Sequence, residues 1–503
     1  MPGCRGRKIV LTIMVVVFWA AMMSALVIRQ AGIKFRPSAY QAFLNKDTLL
    51  SDQWLGIYFG GALVGFMHTN LEPYLIRDGV SGYRITNRTF LNVFMMRQQT
   101  KVWFDSAALI DENYQLVSFE SEFNSGKHRI AVRGKPQGKD HLVVDVDSHG
   151  TMSRRSIPIP RKNGVVIASM MSPFQSFGRL VVGGRYDVQI FNPFTMEIEP
   201  VRVTVSARET IQLPAGPEEA FAVDTEYRGI AQRAWVNKNG EILKQQTVMG
   251  WEIIKEDADV VQRVYERGGY MSAELLDMAS VSVAMPREPM QLQRLTIKIS
   301  GVGSEFPLAS HRQRLVDYDP LTKTATVEIS RKPEPSPKIA FPQTGFPLLR
   351  QATALIQCDD PLISFTAQSI VAPATDSWEA AVLINRWVFE QIRKTPVISI
   401  PSAIDVIKTR EGDCNEHTVL FAALSRAAGI PCQMNVGLAY ANGRFYYHAW
   451  PSVYVGEWVD MDPTFGQNIV DVAHIRLIEG DLSKQLDIIQ LLGRISLEVI
   501  CAQ

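Results

Sequence analysis

The 503-residue chain has almost no surplus charge of either sign: 52 Lys and Arg stand against 51 Asp and Glu, for a formal net charge of +1. A protein that grips a phosphate backbone concentrates basic residues on one face, so nucleic acid is not expected as a partner. Cysteine is scarce too. The five thiols, Cys4, Cys358, Cys414, Cys432 and Cys501, have no spacing that suggests a disulfide framework or a zinc site, and neither a metal nor another cofactor is implied. Internal repeats and low-complexity tracts are missing, which argues against a solenoid or a disordered polymer. What remains is ordinary folded protein, 46% hydrophobic and 20% charged, long enough for two or three domains.

Only one apolar run is long. Residues 9–28 carry no charge, with Arg5, Arg7 and Lys8 before them and Arg29 after. At about 1.5 Å per helical residue such a stretch matches a hydrocarbon core of roughly 30 Å, and it exceeds the usual signal-peptide core. It predicts a membrane anchor over residues 1–30. The chain would then be a single-pass protein of the inner (cytoplasmic) membrane with the bulk of it on the periplasmic, extracytoplasmic side. Met23-Ser24-Ala25 offers the alternative of a cleavage site.

Residues 48–330 read as β-rich. Gly60-Gly61 separates two apolar, β-prone runs, and Lys238-Asn239-Gly240 separates another pair. Short strands with turn residues between them suggest a large antiparallel sheet, half-barrel-like, that serves as a binding surface, spacer or substrate platform. Lys332-Pro333-Glu334-Pro335-Ser336-Pro337-Lys338 marks a stiff linker over 331–344. A second domain follows over 345–480, where Asp376-Ser377 caps an amphipathic helix, and 481–503 form a C-terminal extension. The predicted fold class is α+β.

The chemistry concentrates around Cys414. Gly412 interrupts the preceding segment, Asp413 suits an N-cap and Glu416 completes a capping-box pattern, so a helix should begin at Cys414. Its unpaired N–H groups and dipole would favour a thiolate and an oxyanion. A nucleophilic thiol also needs a base, and the base needs an orienting group. His448 and Asp462 lie on two β-prone stretches joined near Gly456. A two-residue turn would put them on opposite faces, whereas a three-residue loop pairs Tyr454 with Trp458 and brings Asp462 diagonal to His448, roughly 7 Å away at the backbone. The longer loop or a bulge is therefore predicted. His417 is the rival base, one helical turn from Cys414, and Asp460 the rival carboxylate.

Gly412-Asp413-Cys414, Ala428-Gly429-Ile430-Pro431, His448-Ala449-Trp450 and Trp458-Val459-Asp460-Met461-Asp462-Pro463-Thr464 together resemble the bacterial form of the transglutaminase-like domain. The resemblance covers roughly residues 345–480. It implies a papain-like thiol fold with Cys414, His448 and Asp462 as catalytic triad. An upstream side chain would complete the oxyanion hole, with Trp378, Trp387 and Gln391 as candidates. Cys432 departs from the pattern, where a small or apolar residue is usual. The implied activity is cleavage or transfer of amide acyl groups, of peptide or glutamine type, through a cysteine thioester on a peptide or protein substrate. Hydrolysis is favoured because no calcium-loop pattern is visible; the alternatives are a protein cross-linking acyltransferase and a non-catalytic envelope binding or scaffold module.

Overall fold

The computed structural model describes residues 51–503 apart from 77–79, 96–97, 160–164, 169–179, 228–229, 248–249, 268–279, 337, 481–483 and 485. Gly60 and Gly61 take φ of +56° and +80°, a backbone shape that costs other residues free energy, and so close the hairpin between strands Ser51–Phe59 and Ala62–Ile76. A fifteen-stranded sheet grows from it. Its order runs from Thr151–Pro158 at one edge back to Ser51–Phe59, then from Trp251–Lys255 to Val166–Ile167 at the other.

Strand Leu116–Ser125 is fourth in this order and Arg185–Asn192 fourteenth, yet the rings of Phe119 and Phe191 lie 5.2 Å apart. The sheet therefore curls until its two arms share one core, which also holds Leu55, Val102, Val144 and Val203. Helix α1 (Ala258–Arg267) covers part of the outer face, with Val261 against Phe66 and Phe90.

The second region packs four helices against a mixed-length antiparallel sheet. Asp360 caps α2 (Pro361–Val371), accepting the Leu362 and Ile363 N–H groups, and Asp376 caps α3 (Ser377–Gln391), accepting that of Glu379. They are followed by α4 (Ala403–Thr409) and α5 (Cys414–Ala427). Strand Arg444–Tyr454 runs beside Cys432–Ala441, which in turn pairs with Ile475–Glu479. Strand Ser496–Ala502, within the expected extension, joins Arg294–Ser300 in a further four-stranded sheet. Apolar residues of that sheet, Ile297 and Val327 among them, share a core with Leu438, Phe445 and Ile475.

The curled sheet docks on the lead-in to α5. His128 and His149 both pair with Asp405 of α4, His149 Nδ1 at 2.6 Å. Lys127 meets Glu411 at 3.2 Å, and the Ser148 and Ser402 hydroxyls lie 3.0 Å apart. His128 and Asp405 are both 3% exposed in their side chains. His128→Ala should therefore strip a buried carboxylate of one partner and cost roughly 1–3 kcal/mol. A lowered urea midpoint would register it, and an unchanged midpoint would show that the contact contributes nothing.

Two expectations are corrected here. The chain is mostly β, 52% strand and 16% helix, and not α+β. Helix signals cluster in the short stretch from 361 to 427, whereas strands as long as the 17 residues of Glu197–Leu213 fill the remainder. The single-pass inner-membrane localisation, and with it a membrane contact, is corrected as well. Among the described residues no helix is long and apolar enough to cross a membrane, and the 9–28 stretch lies outside them.

Candidate active site

Cys414 is the first residue of α5. The capping box forms as its residues predict: Asp413 accepts the N–H of Asn415 at 2.9 Å, and Glu416 accepts that of Asp413 at 2.8 Å. Gly412 is required by packing, since a Cβ there would come within 2.2 Å of the Glu416 Cβ. Just before it Glu411–Gly412 pairs with Arg393–Lys394, so the polypeptide before the thiol is held by a short parallel pairing.

The hairpin register has the predicted three-residue loop. Tyr454 faces Trp458, Val453 faces Val459 and Ser452 faces Asp460. Beyond Asp460 the strand gives way to a turn closed by paired backbone bonds between Asp462 and Gln467. That turn aims Asp462 back at the strand, where His448 Nε2 donates to its Oδ2 at 2.8 Å. The Asp462 Oδ1 accepts the Thr464 and Phe465 N–H groups at 2.7 and 3.0 Å. Phe465 lies on the His448 ring, centroids 4.7 Å apart and planes 13° from parallel. The Ala449 N–H, next in chain to His448, points at the Cys414 sulfur.

The rivals are engaged elsewhere. His417 donates from Nδ1 to the Asp413 carbonyl at 2.6 Å, and burial pushes its imidazole down. Asp460 faces Asn435 at 3.3 Å, His311 at 3.4 Å and Arg312 at 3.9 Å. Of the oxyanion candidates, Trp378 is sealed in the helical core and Trp387 lies under the Arg410 guanidinium at 4.6 Å, while Gln391 is exposed at the end of α3. Cys358, Cys414, Cys432 and Cys501 are all free thiols.

One expectation about electrostatics fails. Burial, followed by the charge of Asp413 and the more distant Glu416 and Asp462, pushes the Cys414 thiol well up, against the pull of the Ala449 N–H. Asp413 itself is pushed well up, by burial first and then by the neighbouring Glu416. The helix terminus expected to favour a resting thiolate is outweighed.

Two residues were not singled out in the sequence. His474 Nε2 reaches the same Asp462 Oδ2 at 3.0 Å, and its Nδ1 reaches Asp471 Oδ1 at 3.0 Å. Asp471 is held in turn by the Ala473 N–H and by Gln467 Nε2, both at 2.9 Å. The i, i+3 spacing of Asp471 and His474 was the available signal, but such pairs are common on surfaces and only the turn at 462–467 brings this one to the site. His448, Asp462 and His474 have donor atoms within 4.8 Å of one another, a set that could in principle hold a cation. Here, however, both His474 nitrogens face carboxylate oxygens and all four Asp462 acceptor directions are filled, so neither of these two residues has a ligand atom to spare.

Burial alone would raise Asp462, but His448 and His474 on its carboxylate hold it well below the usual range; Asp471 is similarly brought down to about 2. Burial would lower His474, but Asp471 and Asp462 raise it from 6.5 to about 9. The folded state thus holds the His474 proton more tightly than the unfolded chain. Its contribution, on the order of 3 kcal/mol, is whole below about pH 6.5 and lost as pH climbs through about 9. The carboxylates contribute in the opposite sense, above their ordinary 3.8 and decreasingly as pH falls toward 2. The unfolding temperature should accordingly be lower at pH 9.5 than at pH 6; a flat alkaline profile would contradict the assignment.

Residues 364–463 match the family model of the transglutaminase-like superfamily. Over this stretch the chain is similar to transglutaminase-like domains. It holds the cysteine helix, His448 and Asp462, while His474 lies beyond its matched end. The chain is also 32% identical over 76 residues to kyphoscoliosis peptidase of Homo sapiens and to its Mus musculus counterpart, a match covering 13% of this chain and 12% of each relative. It therefore spans only about an eighth of those proteins. Among solved structures, a Cytophaga hutchinsonii protein provisionally named a cysteine protease is similar at 16% identity and a TM-score of 0.30, over 42% of this chain and 86% of that one. A β-barrel-like domain of unknown function from Brucella abortus is similar at 10% identity and a TM-score of 0.30, over 41% of this chain and 95% of that one. Neither structural likeness is close enough to argue from.

Proposed function

We propose that the transglutaminase-like domain is a thiol amide hydrolase acting on peptides or proteins, with Cys414 as nucleophile, His448 as base and Asp462 as the group that orients it. The carrying observation is the 2.8 Å bond from His448 Nε2 to Asp462, on a strand whose next N–H points at the Cys414 sulfur. With Nε2 committed to Asp462, Nδ1 of neutral His448 is the nitrogen that accepts.

The Cys414 proton passes to that Nδ1 as sulfur bonds to the substrate carbonyl. The N–H groups at the start of α5 receive the developing oxyanion. His448 then protonates the leaving amine as the C–N bond breaks, which leaves a thioester. Water attacks the thioester while His448 takes its proton, and the acid departs as Cys414 recovers the proton.

A tryptic peptide pool incubated with the protein in H2 18O and a biotinylated primary amine tests the reading. Hydrolysis would place 18O in new C-termini or in Glu formed from Gln, and both signals would vanish with Cys414→Ala. Amine adducts without 18O would instead indicate acyl transfer. No Cys414-dependent product of either kind would overturn the enzymatic reading in favour of a binding module.

A further inference from the structure

The His474 imidazole has carboxylate oxygens at 3.0 Å from both of its nitrogens. A carboxylate only accepts, so both nitrogens must donate, and a ring that donates twice is an imidazolium. The same Asp462 Oδ2 takes the His448 Nε2–H, while two backbone N–H groups occupy Oδ1. His448, Asp462, Asp471 and His474 are all less than a tenth exposed. Two buried carboxylates beside a neutral His448 would leave two negative charges in a dry site; His474 neutralises one of them.

We propose that His474 is a positioning residue, an imidazolium clamped between Asp471 and Asp462 that keeps the Asp462 carboxylate ionised and aimed at His448. This rests on the reading of Cys414, His448 and Asp462 given above. The cation offsets Asp471 and leaves a single net negative charge for the imidazolium that forms on His448 when it takes the thiol proton. It also fixes the carboxylate plane, because Asp462 now touches the strand through His448, its own turn through Thr464 and Phe465, and the Asp471–His474 segment through His474. Trp450 stands edge-on to the His474 ring, centroids 5.3 Å apart with planes at 85°, and Phe465 at 5.9 Å and 71°. The titratable and charged groups around His474 are Asp462 and Asp471 on its own loop, His448 on the neighbouring strand, Arg312, which donates to the Asp471 carbonyl, and more remotely Lys394, which feels the Asp462 charge.

Three measurements test it. In 15N NMR of the intact wild-type chain at pH 7, His474 should show both ring nitrogens protonated; a neutral ring would overturn the proposal without reference to activity. In His474→Gln, 18O incorporation into the peptide pool should fall by roughly the 10- to 100-fold typical of removing an orienting partner outside the reacting pair. The acid limb of its pH–rate profile should also move to higher pH, since the positive charge near His448 is gone. Loss of rate with an unmoved acid limb, in step with a lowered unfolding temperature, would reduce His474 to a structural role and overturn the proposal. Asp471→Asn guards against misfolding of the first variant: it keeps the His474 bond to Asp462, so it should retain more activity than His474→Gln, and the reverse order would count against the clamp. If wild-type protein and Cys414→Ala give equal products, the failure belongs to the underlying catalytic reading and not to His474.

Discussion

Cys414→Ala should reduce turnover on the peptide pool to background, a loss on the order of 10⁴-fold or more, because the step that forms the thioester has no other nucleophile. Stability should hardly change. Cys414 is half-buried at a helix start, the Asp413–Glu416 capping box that stabilises α5 is untouched, and the substitution deletes one sulfur atom. An unfolding temperature close to wild type would separate chemical loss from misfolding. The intact thiol should also be alkylated by iodoacetamide at a rate that keeps rising above neutral pH, since burial and the neighbouring carboxylates push it well up. Retained turnover in the alanine variant would sink the assignment of the nucleophile.

Asp462→Asn should have the second-largest effect. An amide placed there can turn a donor toward His448 Nε2, which favours the wrong tautomer and removes the accepting Nδ1; the expected loss in kcat is about 10⁴-fold. Unlike the cysteine variant it should also destabilise, by roughly 3–5 kcal/mol, because the His474 imidazolium loses one of its two buried carboxylates. Asp460→Asn is the control. That carboxylate sits among Asn435, His311 and Arg312, so its loss should lower stability and leave kcat nearly unchanged. If Asp460→Asn removed activity and Asp462→Asn did not, the hairpin would have been read in the wrong register.

Local rules governed much of what the chain made legible. The capping box from Asp413 to Glu416 is a four-residue matter of backbone N–H groups finding side-chain acceptors, and it forms as its residues demand. By a period-two argument, His448 and Asp462 share a face only with a three-residue loop at Val455-Gly456-Glu457 or a bulge; Tyr454 does pair with Trp458, but Asp462 reaches His448 from the turn beyond the strand and not as a paired neighbour. The motifs carrying the family resemblance are local too, and they fall in or beside the matched stretch 364–463.

Where local reasoning went astray, the deciding quantity was a sum over neighbours distant in sequence. A helix N-terminus favours a thiolate, but the Cys414 environment also contains burial and the carboxylates of Asp413, Glu416 and Asp462, and their combined effect prevails. A β-rich region followed by a helix-bearing second domain suggested α+β, while the long strands of a fifteen-stranded sheet made the chain mostly β.

Sequence alone thus determined the cysteine helix, the hairpin register and the identities of Cys414, His448 and Asp462 as candidates, because each depends on spacing within a few residues or on alternation along one strand. Tertiary structure decided that Asp460 is spoken for by Arg312 and His311, that His417 is tied to its own helix, and that His474 and Asp471 stand behind Asp462. It also decided that a curled sheet, through His128, His149 and Lys127, braces the lead-in to Cys414. A buried charge is stabilised by whichever partners packing brings within about 3 Å, and no spacing along the chain specifies that in advance.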